Sequence, residues 1–202
     1  MTTPKLTAAL ACTLLCTALF AQQKGTFTDT RDGKIYKTTK IGEQVWMAEN
    51  LNFAAEGSRC YNDSTTYCEK YGRLYNWGTA MKACPSGWHL PSDTEWNVLM
   101  KFVNPSCSDN RDCVNAGTKL KATSGWNRNS NGEDTYGFAA LPGGSSSDFD
   151  NVGNYGYWWS ASEYKYSANS AYSRGMSYGN EYVYGDFGNK SNDLLSVRCL
   201  QD

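Results

Sequence analysis

The chain has 202 residues, with 19 Lys+Arg against 20 Asp+Glu, a formal net charge of −1 and one histidine. That balance excludes the basic footprint of a nucleic-acid or anionic-membrane binder. No stretch after residue 21 is apolar for long enough to cross a bilayer.

Residues 1–21 read as a secretory signal peptide: Lys5 supplies the positive end, residues 6–20 a mostly apolar run, and Ala21 a small residue at the cut. A lipoprotein would need a small residue before Cys16, and Leu15 stands there. The expected mature chain, 22–202, is one domain with room for a substantial core. It is expected outside the cytoplasm: secreted, on the cell surface or in the periplasm. No membrane insertion is expected after cleavage.

Of eight cysteines, six remain in that domain: Cys60, Cys68, Cys84, Cys107, Cys113 and Cys199. An even number in an exported chain implies three disulfides, for which fifteen connectivities exist. The cheapest arrangement closes the two short loops, Cys60 with Cys68 and Cys107 with Cys113, and leaves Cys84 to Cys199. Zinc is disfavoured, because there is no C-x-x-C pair and only one histidine.

In chain order, residues 27–48 read as β-structure. Asp32-Gly33 signals a two-residue type I′ hairpin between 27–31 and 34–41, and Gly42-Glu43 a second turn into Gln44-Val45-Trp46-Met47. Residues 54–70 are polar and read as a surface loop. Residues 75–83 suit a short helix. Residues 84–96 read as a strand entering a capped helix: Ser92 with Glu95 is a capping box, and Trp96, Leu99, Met100 and Val103 form one apolar stripe. Residues 104–117 form a pinned loop, and an irregular segment follows from Lys119. Residues 136–144 read as a buried strand or extended segment, and 145–154 as a loop. Strands are expected at 157–163, 171–178, 181–186 and 194–200. This order is α+β: two short helices packed on small antiparallel sheets with long loops.

Several blocks then carry a family resemblance. They are Gly42-Glu43-Gln44-Val45-Trp46-Met47-Ala48-Glu49-Asn50-Leu51-Asn52, Tyr71-Gly72-Arg73-Leu74-Tyr75-Asn76-Trp77, Cys84-Pro85-Ser86-Gly87-Trp88-His89-Leu90-Pro91, Tyr136-Gly137-Phe138-Ala139-Ala140-Leu141-Pro142-Gly143, Gly156-Tyr157-Trp158-Trp159-Ser160 and Ser196-Val197-Arg198-Cys199. In this order they resemble the Fibrobacter succinogenes major paralogous domain family. The resemblance implies an exported bacterial domain with a C-type lectin-like fold, near the formylglycine-generating domains, and no established activity. It also supports the Cys84–Cys199 pairing.

For chemistry, all six cysteines have structural partners, which argues against a formylglycine-type oxidase. His89 lies between Trp88 and Leu90 with no G-x-S-x-G segment, and reads as a hydrogen-bonded strand histidine. No catalytic residue is assigned, and no cofactor is required. Calcium is the candidate ion, with Glu133, Asp134, Asp148 and Asp150 as loop carboxylates, although no EF-hand, Glu-Pro-Asn or Trp-Asn-Asp motif is present.

The functional signal is compositional. From Tyr164 to Asp193, 19 of 30 residues are Tyr, Ser, Gly or Asn. Rigid amphipathic rings among small polar residues are paratope chemistry, and the same rings stack on sugars. Trp158, Trp159, Tyr164, Tyr166, Tyr172, Tyr178, Tyr182 and Tyr184 are therefore the expected ligand-binding residues. Side-chain alternation puts Trp158 and Trp159 on opposite faces, with one expected in the core and the other exposed. The reading is a non-catalytic binding domain for carbohydrate or protein. Its rivals are an enzyme (an oxidase or a glycoside hydrolase) and a passive structural surface protein.

Overall fold

A computed structural model describes residues 23–109, 112–145 and 149–202. The expected signal peptide and the calcium candidate Asp148 lie outside the described residues.

Two five-stranded sheets form the frame. The first contains β1 (Lys24–Thr28), β2 (Ile35–Ile41), β3 (Gln44–Met47), β5 (Trp88–His89) and β10 (Leu200–Gln201), in the order β1-β2-β3-β10-β5. The second contains β4 (Leu74–Tyr75), β6 (Tyr155–Glu163), β7 (Ser170–Ser177), β8 (Val183–Asn189) and β9 (Leu195–Ser196), in the order β4-β9-β6-β7-β8. Among the described residues four α-helices accompany them: α1 (Thr65–Tyr71), α2 (Trp77–Ala83), α3 (Asp93–Val103) and α4 (Ala116–Leu120). The α+β class and all three expected disulfides are present, at Cys60–Cys68, Cys84–Cys199 and Cys107–Cys113.

Several elements differ from expectation. The first hairpin is wider than a two-residue turn. Thr28 pairs with Ile35, and the loop between them is closed by Gly33 N–H to Asp29 O and Asp29 N–H to Lys34 O, both 2.8 Å. The Asp29 carboxylate holds the loop by accepting from the Arg31 backbone and guanidinium. The 54–70 segment is not all loop, because α1 occupies its end and stops at Gly72, φ +77°. A Cβ at Gly72 would stand 2.8 Å from Asn50 Cβ and from Leu51 O, so the helix exit requires glycine. Residues 116–120 are helical rather than irregular. Residues 136–144 form no strand: they begin in a turn, Gly137 and Ala139 have positive φ, and single bridges tie Ala140 to Lys121 and Gly144 to Gly156 of β6.

The expected last strand is split. β9 belongs to the second sheet and β10 to the first, so residues 195–201 stitch the two together. The sheets are also not purely antiparallel, since β9 lies parallel to β6 at Trp158–Ser196.

The central helix forms as its sequence dictates. Ser92 Oγ accepts from Glu95 N–H at 3.3 Å, and Glu95 Oε2 accepts from Ser92 N–H at 2.7 Å. Trp96, Leu99, Met100 and Val103 are buried. They join Ile41, Trp46, Trp126, Phe138, Trp158 and Met176 in one core cluster. A second cluster holds Met47, Leu51, Tyr75, Ala80, Leu90, Trp159 and Val197. β6 thus lies between two cores. Trp158 and Trp159 are each 0% exposed, which corrects the expectation that one would face solvent. A strand covered on both sides buries both of its faces.

Between the sheets stands the fully buried Arg198. Its guanidinium donates to Asn50 Oδ1 (2.6 Å and 3.2 Å), Met47 O (3.3 Å), Ala139 O (3.4 Å) and Phe138 O. Asn50 Oδ1 also accepts from Trp158 Nε1 at 2.8 Å, and Asn50 Nδ2 donates to Tyr71 O at 2.8 Å. Burial pulls the Arg198 pKa down from its usual value. Carbonyl and amide oxygens, rather than a carboxylate, hold its charge.

Candidate binding groove

The β6–β7 connection is a short, self-bonded loop. Tyr164 N–H donates to Ser170 O, Ser167 N–H to Tyr164 O and Ser170 N–H to Ser167 O, at 2.9–3.1 Å. It carries Tyr164 and Tyr166 over the end of the second sheet. β7 and β8 pair Tyr172 with Phe187 and Arg174 with Gly185, which places these residues on the same side.

The rings converge. Tyr164 stacks on Phe187 with centroids 4.3 Å apart and planes at 10°, and meets Tyr172 edge-on at 5.1 Å and Tyr166 at 5.4 Å. With Lys165, Arg174, Gly185 and Asp186 they line a groove of about 290 Å³. Tyr166 is 74% exposed and Phe187 52%, so two apolar rings stand open to solvent. Arg174 lies at the buried end. It pairs with Asp93 at 2.5 Å and donates to Asn97 Oδ1 at 2.8 Å, which fixes the groove to the N-terminal half of α3.

The other predicted aromatics lie elsewhere. Gly175, on the opposite face of β7, opens toward the Tyr157 and Tyr184 rings. Tyr184 meets Tyr182 edge-on at 6.2 Å, and Tyr178 meets Tyr155 at 6.5 Å beneath Arg128. Trp158 and Trp159 are core, with their indole N–H groups committed to Asn50 Oδ1 and Tyr75 O. Both are fully buried and neither lines the groove, so the structure separates them from the other predicted aromatics. Of the eight predicted residues, Tyr164, Tyr166 and Tyr172 share the groove, while Tyr178, Tyr182 and Tyr184 do not. The sequence reading passed over Phe187, Lys165, Arg174 and Asp186. Phe187 was legible as a further ring in the same polar run.

The described acidic loop residues form no metal-binding group. Glu133 accepts from Thr135 Oγ1, Asp134 accepts from Ala139 N–H, and Asp150 is exposed. Among the described residues no three His, Cys, Asp or Glu side chains group as a metal site. Asp134 and Glu49 do line one surface cavity of about 530 Å³ beside β2. Burial there raises the Asp134 carboxyl above its usual pKa, against the hydrogen bond from Ala139.

His89 sits on β5 as a hydrogen-bonded strand histidine. Its ring nitrogens face Asp202 Oδ1 at 2.6 Å and Glu95 Oε1 at 3.0 Å. Lys121 is buried, with its ammonium on Ser177 O and Asn180 O, and burial lowers its pKa to about 8.

Against known families, the model of the Fibrobacter succinogenes major domain matches residues 39–201. The chain belongs to this family. No curated protein and no solved structure matches it. Five of the six blocks that carry the family resemblance meet at the Arg198 node, where Asn50, Tyr71, Phe138, Trp158 and Arg198 each come from a different block. Every residue lining the groove falls between the last two of these blocks and within the stretch that the family model matches. No described helix is long and apolar enough to cross a membrane.

Proposed function

We propose that the domain is an exported, non-catalytic binding module that holds carbohydrate at the Tyr164/Tyr166/Tyr172/Phe187 groove. The observation that carries this is the convergence of four rings, two of them exposed, on one groove with charged groups at its rim. Exposed rings offer flat apolar faces to the C–H faces of a sugar, and Lys165 and Asp186 offer a donor and an acceptor to its hydroxyls. Three disulfides support an oxidising, extracytoplasmic address. Two sheets joined through the terminal segment, with Cys84 tied to Cys199, support a C-type lectin-like assignment. The test is a glycan-array and plant-polysaccharide pull-down with the mature protein, run with calcium and with chelator. Saturable binding indifferent to chelation is expected. Binding lost on chelation would move the site to the acidic loops, and no binding to any glycan would favour a protein ligand.

One observation favours a second reading. Glu49 and Asp134 line the same cavity, and burial raises the pKa of the Asp134 carboxyl, the direction a general acid in a glycoside hydrolase needs. Hydrolysis of a polysaccharide that Asp134→Asn abolishes would establish that reading, and its absence on every substrate the groove binds would remove it.

A further inference from the structure

Arg73 stands just before β4 with its guanidinium fixed by Ser58. Nε donates to Ser58 Oγ at 2.9 Å and Nη2 to Ser58 O at 3.2 Å. That clamp aims Nη1 at the Cys60–Cys68 bridge, 3.5 Å from Cys60 Sγ and 3.7 Å from Cys68 Sγ. Among the described residues no carboxylate pairs with Arg73, and the nearby acid Asp63 is occupied by Arg59. Among the described residues, no cationic side chain donates to Cys84–Cys199 or Cys107–Cys113.

We infer that Cys60–Cys68 is a thiol–disulfide exchange site, opened by dithiol reductants ahead of the other two bridges, with Arg73 stabilising the departing sulfur. A disulfide breaks when a thiolate attacks one sulfur and the other leaves as thiolate, and a cation beside the leaving sulfur speeds that step. Cys68, though only 5% exposed, is one of the residues lining a surface cavity of about 210 Å³, and the attacking thiolate is assigned to that side. Cys60, closer to Nη1, is the leaving group.

The reaction balances with a dithiol as sole co-reactant. One thiolate of the reductant bonds to Cys68 Sγ, and the Cys60–Cys68 bond breaks with its electron pair going to Cys60. The second reductant thiol then attacks the mixed disulfide and releases Cys68. Two electrons pass to the protein, the reductant becomes a disulfide, and its two protons go to the cysteines. Opening frees the turn at Tyr61–Asp63 from α1, whose residues Cys68, Glu69, Lys70 and Tyr71 form one wall of the cavity. Reduction therefore reshapes this cavity and leaves the aromatic groove, built on β7 and β8, in place.

Exposure alone would give a different order, because Cys84 is more exposed than either Cys60 or Cys68. The test treats the native protein with graded dithiothreitol, quenches with iodoacetamide and maps labelled cysteines by peptide mass spectrometry. Cys60 and Cys68 are expected to label first, about tenfold faster than Cys84 and Cys199, and Arg73→Gln is expected to slow that opening about tenfold, with Arg73→Lys in between. Cys84–Cys199 or Cys107–Cys113 opening first in the wild type would overturn the inference, as would Arg73→Gln opening at the wild-type rate. If Arg73→Gln fails to fold, the wild-type order and the Arg73→Lys rate decide the matter.

Discussion

Removing the Cys84–Cys199 bridge by Cys84→Ala/Cys199→Ala tests how the two sheets are held together. The bridge closes a separation of 115 residues. The chain-entropy relation, −2.1 − 1.5R ln n, then assigns it about 4.8 kcal/mol at 25 °C. The same relation gives about 2.5 kcal/mol for Cys60–Cys68, with a separation of 8, and about 2.2 kcal/mol for Cys107–Cys113, with a separation of 6. Cys199 is fully buried beside Leu90 and Val197 in the second core, so alanine there also leaves a small void that adds to the loss. At about 2–4 °C per kcal/mol for a domain of this size, the melting temperature should fall by about 10–20 °C. Equilibrium urea unfolding under oxidising conditions reads the difference, with the slope rising because the freed denatured chain is more open. The ranking is the sharp part: the long bridge should cost about twice either short one. If Cys60→Ala/Cys68→Ala destabilises as much as Cys84→Ala/Cys199→Ala, loop closure is not what this bridge contributes.

The remaining predictions concern the core and the histidine. Trp159→Ala should destabilise by about 3–5 kcal/mol in the same assay, as a fully buried tryptophan requires, whereas an exposed one would cost little. Asn50→Ala removes the oxygen that accepts from both Arg198 and Trp158, so about 3 kcal/mol or more should be lost; Arg198→Leu should be as damaging, because it strands buried carbonyls. For His89, burial favours the neutral ring, but hydrogen bonds to Asp202 and Glu95 outweigh it and leave the pKa raised above 6.5. The histidine therefore stabilises the fold fully below about pH 6.5, and this contribution fades as pH rises through the higher folded value. The gap in urea midpoint between wild type and His89→Gln should narrow over that rise; a gap that widens with pH would contradict the two-carboxylate clamp.

Local signals in the sequence led directly to local structure. The Ser92/Glu95 capping box, the α3 stripe and the Gly42-Glu43 turn depend on neighbours within a few residues, and each stands as read. α1 escaped notice because it is only seven residues long, lacks a side-chain cap and buries just Cys68 and Tyr71, so its polar sequence resembles a loop. The split of 194–200 into β9 and β10 is set by which sheet each half meets, and no local pattern encodes that. The same limit applies to Trp158 and Trp159. Alternation correctly sent them to opposite faces, but only packing on both sides of β6 shows that neither face is solvent. At the groove, the composition of 164–193 pointed to the right region. Which tyrosines meet follows from strand register, which joins Tyr172 to Phe187 and turns Tyr184 to the other side.

The central claim is that the exposed rings of the groove hold the ligand. The most direct measurement is saccharide binding by wild type and by Tyr166→Ala/Phe187→Ala on one array, with urea midpoints measured alongside. Both rings are largely exposed, so the variant should keep its midpoint within about 1 kcal/mol of stability and lose tenfold or more in affinity. A variant that folds normally and binds every glycan as the wild type does would contradict the claim.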